Sequence, residues 1–132
     1  AAVLIAAGDS EKFGDAGLAS IDVPVLQITG DRDGQRERNA DDYWDGLGND
    51  VAAWWLELTN VGHQNLAHTC TLPVGGAVGC LDDEAAPELV FTATNAYVMA
   101  FSEWVLDADP NAGAFLSGEL WSNEVVDQVR AR

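Results

Sequence analysis

Hydrophobic and polar positions along the chain fall into blocks of two different periods. Three runs are short, nearly continuous and apolar: Ala2 to Ala7 (AVLIAA), Val23 to Thr29 (VPVLQIT) and Val51 to Leu58 (VAAWWLEL). Runs of this length, stopped by Gly, Asp or Asn, predict strands over about 2–7, 23–29 and 51–58, buried on both faces as in a parallel sheet. The adjacent Trp54 and Trp55 then point to opposite faces, one into each covering layer. Other stretches carry the helical period. Ala40, Tyr43, Trp44 and Leu47 recur at three and four behind a capping Asn39 and before Gly48, which predicts a short helix over 40–47. Val90, Ala93, Tyr97, Ala100, Phe101 and Trp104 do the same between Pro87 and Asp109-Pro110, which predicts a long core helix over about 87–106. Trp121, Val125 and Val129, at spacings of four, predict a terminal amphipathic helix over about 119–130. Ser10 to Ser20 is too polar and irregular for a helix and reads as a connection.

The order of these elements predicts an α/β protein, a partial parallel sheet with flanking helices. At 132 residues the chain is about one domain, and no internal repeat or low-complexity segment divides it. A strand buried on both faces needs neighbours, and one starting at residue 2 has nothing upstream to pair with. The expectation is an incomplete sheet whose missing part comes from elsewhere. The first run lacks the basic flank of a signal peptide, and no apolar run approaches the ~20 residues of a membrane span, so a soluble chain is expected.

Charge narrows the partners. The chain carries 22 acidic and 6 basic residues, a net charge of -16, with the acids scattered through loops and helix ends. Such a surface repels itself and suits high ionic strength. It also repels phosphate backbones, which argues against nucleic acid as a partner. No D-x-D-x-D-G loop with a closing Glu is present, nor a C-x-x-C or a histidine cluster, so neither a metal nor another cofactor is expected. Cys70 and Cys80 flank the loop from Thr71 to Gly79. A disulfide there would contribute about 2 to 3 kcal/mol and imply an oxidising, extracytoplasmic compartment. Two buried free thiols are the alternative.

The candidate chemistry lies where the second and third strands end. One runs into Gly30-Asp31-Arg32-Asp33-Gly34 and the other into Thr59-Asn60-Val61-Gly62-His63. A carboxylate and an imidazole beyond the carboxyl ends of successive strands is how an open α/β sheet builds a site. A carboxylate that accepts from one imidazole nitrogen fixes the tautomer, and the other nitrogen can then take a proton from a nucleophile. Asp33 and His63 suit those roles, Asp31 reads as a turn or surface carboxylate, and His68 as a loop histidine. A turn acid and an exposed histidine without catalytic duty are the structural alternative for the pair.

Acid followed by histidine is the latter part of the Ser, Asp, His order of α/β hydrolases. PVLQITGDRDG (Pro24 to Gly34) resembles the strand and turn that present the acid in dienelactone-hydrolase-like, chlorophyllase-like and platelet-activating-factor-acetylhydrolase-like esterases. LTNVGHQNL (Leu58 to Leu66) resembles the loop that presents their histidine. The cysteine pair and the long closing helix are also similar, and the resemblance covers most of Ala1 to Leu106. It implies the C-terminal half of a single α/β-hydrolase domain, with Asp33 as acid, His63 as base and a small-molecule ester as substrate. Gln64 and Asn65 replace the aromatic residues that often follow the histidine in these esterases. The chain has no G-x-S-x-G, so the nucleophile and oxyanion hole are expected from the N-terminal half of the same fold, on another polypeptide segment. Without that elbow, haloalkane and epoxide hydrolases, with an aspartate nucleophile, fit the same Asp/His pair.

Two further readings compete. Gly8-Asp9-Ser10 after an N-terminal strand resembles the nucleophile block of GDSL lipases and esterases, which makes Ser10 a second candidate nucleophile. That family's D-x-x-H is not matched at His63 or His68, each preceded at three by an asparagine. The other is a non-catalytic, hydrolase-derived module that binds or completes a partner.

Overall fold

In the computed structural model the described residues are 1–8, 10–34, 36–67, 69–71, 80, 83–119 and 124–132, with backbone only for 36–38 and 71. Strands β1 (Ala2–Ile5), β2 (Val25–Gly30) and β3 (Ala53–Leu58) lie side by side in chain order and are parallel. A fourth strand, β4 (Val126–Ala131), runs antiparallel along the other side of β3. Helices α1 (Gly14–Ala19) and α2 (Arg36–Gly46) belong to one side of the sheet. The short α3 (His63–Leu66) follows β3, and α4 (Pro87–Asp107) and α5 (Pro110–Leu116) cover the other side. The result is a mixed four-stranded α/β sheet with flanking helices.

Alternation along the central strands assigns the two faces. Leu26, Ile28, Trp54, Leu56 and Leu58 turn toward α4, whose Val90, Ala93, Tyr97 and Phe101 meet them in the larger core. Trp54 packs edge-on against Trp104, with ring centroids 4.5 Å apart, and also contacts Phe101. Burying one such side chain contributes about 1.5 to 3 kcal/mol, which makes this layer the main source of stability. By length and composition α4 could also cross a bilayer; here its apolar stripe is buried against the sheet, while Phe91, Met99 and Leu106 stay exposed.

The face toward α2 is more polar. Val25 and Ala53 join Leu47 and Val51 in a small apolar cluster. Beyond them come the buried Gln27, Thr29, Trp55 and Glu57. Gln27 Nε2 donates to the Ala40 carbonyl at 2.9 Å, Trp55 Nε1 donates to Thr29 Oγ1 at 2.8 Å, and Gln128 Nε2 donates to Glu57 Oε1 at 3.2 Å. Arg130 lies over the Trp55 ring, and Arg132 lies over Trp44 while donating to the carbonyls of Trp44 and Leu47. Those carbonyls lie at the end of α2, so a cation just past β4 closes the helix.

Four expectations change. The terminal helix expected over 119–130 is in its described part the strand β4. A register shift opposite Glu57 and Leu58 places one extra residue, Asp127, between Gln128 and Val126. That bulge lets Val126 and Val129 pair with Leu58 and Leu56 on the same face although they are three apart, so the strand lacks plain alternation. Trp121 lies outside the described residues. The connection over 10–20 contains a 3-10 turn (Ser10–Lys12) and α1, held by Leu18, which is buried against α2 where a Cβ on Gly46 would meet its side chain at 2.5 Å. Asn39 is not a cap: α2 starts before it, and its Oδ1 accepts from Ser10 N at 3.0 Å. Finally, β1 is only half-buried on the α2 side and exposed on the other. Its Val3 and Ile5, on the α4 side, are 39% and 41% exposed, because β1 is an edge strand.

Asp109-Pro110 ends α4 and also starts α5, where the Asp109 side chain accepts from Asn111 N at 2.8 Å. The residue closing α4, Ala108, sits in the left-handed region at φ 53°. A methyl side chain is penalised there and glycine is not. Ala108→Gly is therefore expected to stabilise the chain by about 0.5 to 1 kcal/mol. In urea titrations this would raise the midpoint without changing the slope.

Candidate active site

The site forms where β2 and β3 end level. Gly30 pairs with Leu58, and the ladder continues past both strands as Asp31 N donates to Leu58 O at 2.9 Å and Arg32 N to Val61 O at 3.1 Å. A Cβ on Gly30 would stand 1.9 Å from the Val61 carbonyl oxygen, so only glycine allows the two turns to approach this closely. The chain then doubles back, with Asp33 N donating to Gly30 O at 3.1 Å, and the Asp33 side chain is turned inward. On the other strand, Asn60 takes a left-handed conformation (φ 58°), and His63 follows Gly62 as the first residue of α3.

These turns bring the two expected residues together. His63 Nδ1 lies 3.0 Å from Asp33 Oδ2. Asp33 is buried, 5% exposed, whereas the His63 side chain is 38% exposed. With the carboxylate as acceptor in this contact, Nδ1 is the nitrogen that donates. Nε2 is left as the acceptor, and it has no hydrogen-bond partner among the described residues. A buried acid behind an exposed imidazole with its far nitrogen free can hold the ring in one tautomer and stabilise the imidazolium after proton uptake.

Asp31 has a different place. Its Oδ1 accepts from Val61 N at 3.2 Å and its Oδ2 from Thr59 Oγ1 at 3.1 Å, so it spans the histidine turn. Asp31 is thus a turn carboxylate whose bonds depend on the side-by-side register of two strands.

Ser10 is 2% exposed, and its hydroxyl lies 3.1 Å from both Asn39 Oδ1 and Asp42 Oδ2 on α2. It joins the β1–α1 connection to α2 and makes no hydrogen bond with His63. His68 lies outside the described residues. Cys70 and Cys80 form a disulfide with Cα atoms 5.8 Å apart. Among the described residues no group of three or more His, Cys, Asp or Glu side chains could hold a metal ion.

Past the disulfide, the segment before α4 is fastened to the site by contacts that the sequence did not signal. Ala85 N donates to Asn60 O at 2.8 Å, and Asn65 Nδ2 donates to Ala85 O at 2.8 Å. Arg32, between the two aspartates, forms an ion pair with Asp83 at 2.8 Å. The Arg32 hydrogen bond, and then its charge, hold the Asp83 carboxyl below its ordinary value of 3.8, while Asp83, Asp31 and Glu84 push the Arg32 guanidinium up.

A depressed carboxyl contributes at pH above its unfolded value and loses that contribution as pH falls through its folded one. Protection of the Ala85 amide against hydrogen exchange should therefore be flat above pH ~4 and fall on further acidification. Both partners reach solvent, so the effect is small and weakened by salt. Asp83→Asn should remove this acid dependence; an unchanged profile in that variant would show that the ion pair does not hold the segment. No protein-family model matches the sequence and no curated protein matches it significantly, which leaves the chemistry of the site as the ground for a function.

Proposed function

We propose that this chain supplies the acid and base of a Ser-His-Asp triad in a carboxylic ester hydrolase, as the C-terminal part of an α/β-hydrolase fold. The observation that carries this is the 3.0 Å contact between His63 Nδ1 and the buried Asp33, beyond the ends of two adjacent parallel strands. The nucleophile is a serine outside this chain. Its Oγ attacks the ester carbonyl as His63 Nε2 takes the hydroxyl proton, and Asp33 holds the imidazolium. His63 then gives that proton to the departing alcohol. Water, deprotonated by His63 in turn, releases the acid and frees the serine.

The open side of β1 supports the need for a second segment. Ala2 N and Ala6 N donate to Pro24 O and Ile28 O, so alternate backbone groups between them face away from the sheet, beside the exposed Val3 and Ile5. A strand bearing the serine would pair there and cover those side chains. The disulfide supports an extracytoplasmic setting.

Intact-mass analysis of the native preparation after treatment with a fluorophosphonate tests the reading. The expected outcome is one adduct on a companion polypeptide and none on this chain. An adduct on this chain would make Ser10 the leading nucleophile. A tightly bound companion without adduct or ester turnover would favour the non-catalytic module. In the complete assembly, Asp33→Asn and His63→Ala should each lower kcat/KM by ~10³-fold or more without unfolding the chain. Near-normal turnover in either variant would remove that residue from the mechanism.

A further inference from the structure

We infer that Asp31 is a positioning residue for His63. The inference rests on the reading of Asp33 and His63 as acid and base, and it concerns how the base is kept in place. Besides the His63–Asp33 contact, four bonds among the described residues join the two turns, and two of them end on the Asp31 carboxylate: Val61 N to Oδ1 and Thr59 Oγ1 to Oδ2. The other two, Asp31 N to Leu58 O and Arg32 N to Val61 O, are backbone bonds that continue the sheet ladder and do not need this side chain.

The carboxylate thus straddles the turn from Thr59 to Gly62, one oxygen on each side of Asn60, whose left-handed conformation turns the chain toward His63. Val61 is fully buried, so its N–H has Asp31 as its partner where water cannot replace it. Two residues further on is His63. Displacing the turn by a fraction of an ångström would lengthen the Nδ1 to Oδ2 contact, because Asp33 is fixed separately by its own turn. The paired aspartates thereby divide the work: Asp33 touches the imidazole, and Asp31 holds the backbone that delivers it.

The ring nitrogens of His63 report this directly. Nitrogen-15 shifts of the side chain, recorded on the full chain at alkaline pH where imidazole is neutral, distinguish a ring protonated at Nδ1 from one protonated at Nε2. The wild-type chain is expected to show the Nδ1–H form imposed by Asp33. Asp31→Ala should shift the ring toward the mixture of an unconstrained imidazole. Asp31→Asn should keep the Nδ1–H form, because Oδ1 can still accept from Val61 N and Nδ2 can donate to Thr59 Oγ1. Thr59→Val removes only one of the two bonds and should give a partial shift, a measurement that stands even if Asp31→Ala does not fold.

The outcomes separate the two ideas. Absence of the Nδ1–H form in the wild-type chain would overturn the acid–base pairing itself. Its presence there, with no change in Asp31→Ala, or in Thr59→Val should Asp31→Ala not fold, would overturn the role of Asp31 and leave the pair intact. Equal loss in Asp31→Ala and Asp31→Asn would assign the effect to charge and overturn the positioning role.

Discussion

For an acid and a base carried by different strands to meet, the strands must end level and their turns must come closer than ordinary side chains permit. Here β2 and β3 meet the first condition by pairing Gly30 with Leu58, and Gly30 meets the second by presenting no Cβ to the Val61 carbonyl. Everything at the site follows from that approach. The backbone ladder runs two bonds beyond the strands, Asp31 gains reach to the opposite turn, and Asp33 is directed inward toward His63. Any side chain at position 30 would force the turns apart and undo all three.

The two layers that hold these strands have different physical characters. On the α4 side, aliphatic and indole groups interlock without direction, and stability there scales with buried area. On the α2 side, amides, a hydroxyl, an indole and a carboxylate are buried, and each hydrogen bond demands a particular partner. The site sits at one end of this sandwich, with its acid shielded and its base half open. That contrast, a buried Asp33 beside a half-open His63 ring, is the arrangement that the proposed proton transfer needs.

Much of this was legible in the sequence because the decisive elements repeat strongly. Two apolar runs each ending in a turn marked β2, β3 and the positions of Asp33 and His63, and the stripe from Val90 to Trp104 marked α4. What escaped reading depended on partners distant in the chain. β4 was hidden because its bulge at Asp127 spaces Val126 and Val129 like a helix, while its real determinant is the side of β3 that it covers. α5 has only seven residues, too few for a period to declare itself. Asn39 carries a capping side chain, but Ser10, twenty-nine residues away, claims it. The pairing of Arg32 with Asp83 spans fifty-one residues and leaves no local mark.

The bond from the Trp55 indole to Thr29 crosses from β3 to β2, and that of Gln128 to Glu57 crosses from β4 to β3. A sheet side chain changes face with every single-residue slip. A slipped β3 would therefore carry the indole N–H away from its hydroxyl into the apolar layer, at a cost of about 1 to 3 kcal/mol for one stranded donor. An aliphatic row could slide and still be buried. The polar row thus proofreads alignment: of the ways to lay β3 beside β2, it penalises those that would end the strands out of step. Beneath α2 and out of contact with the site, Trp55 helps to decide that His63, eight residues later, arrives opposite Asp33.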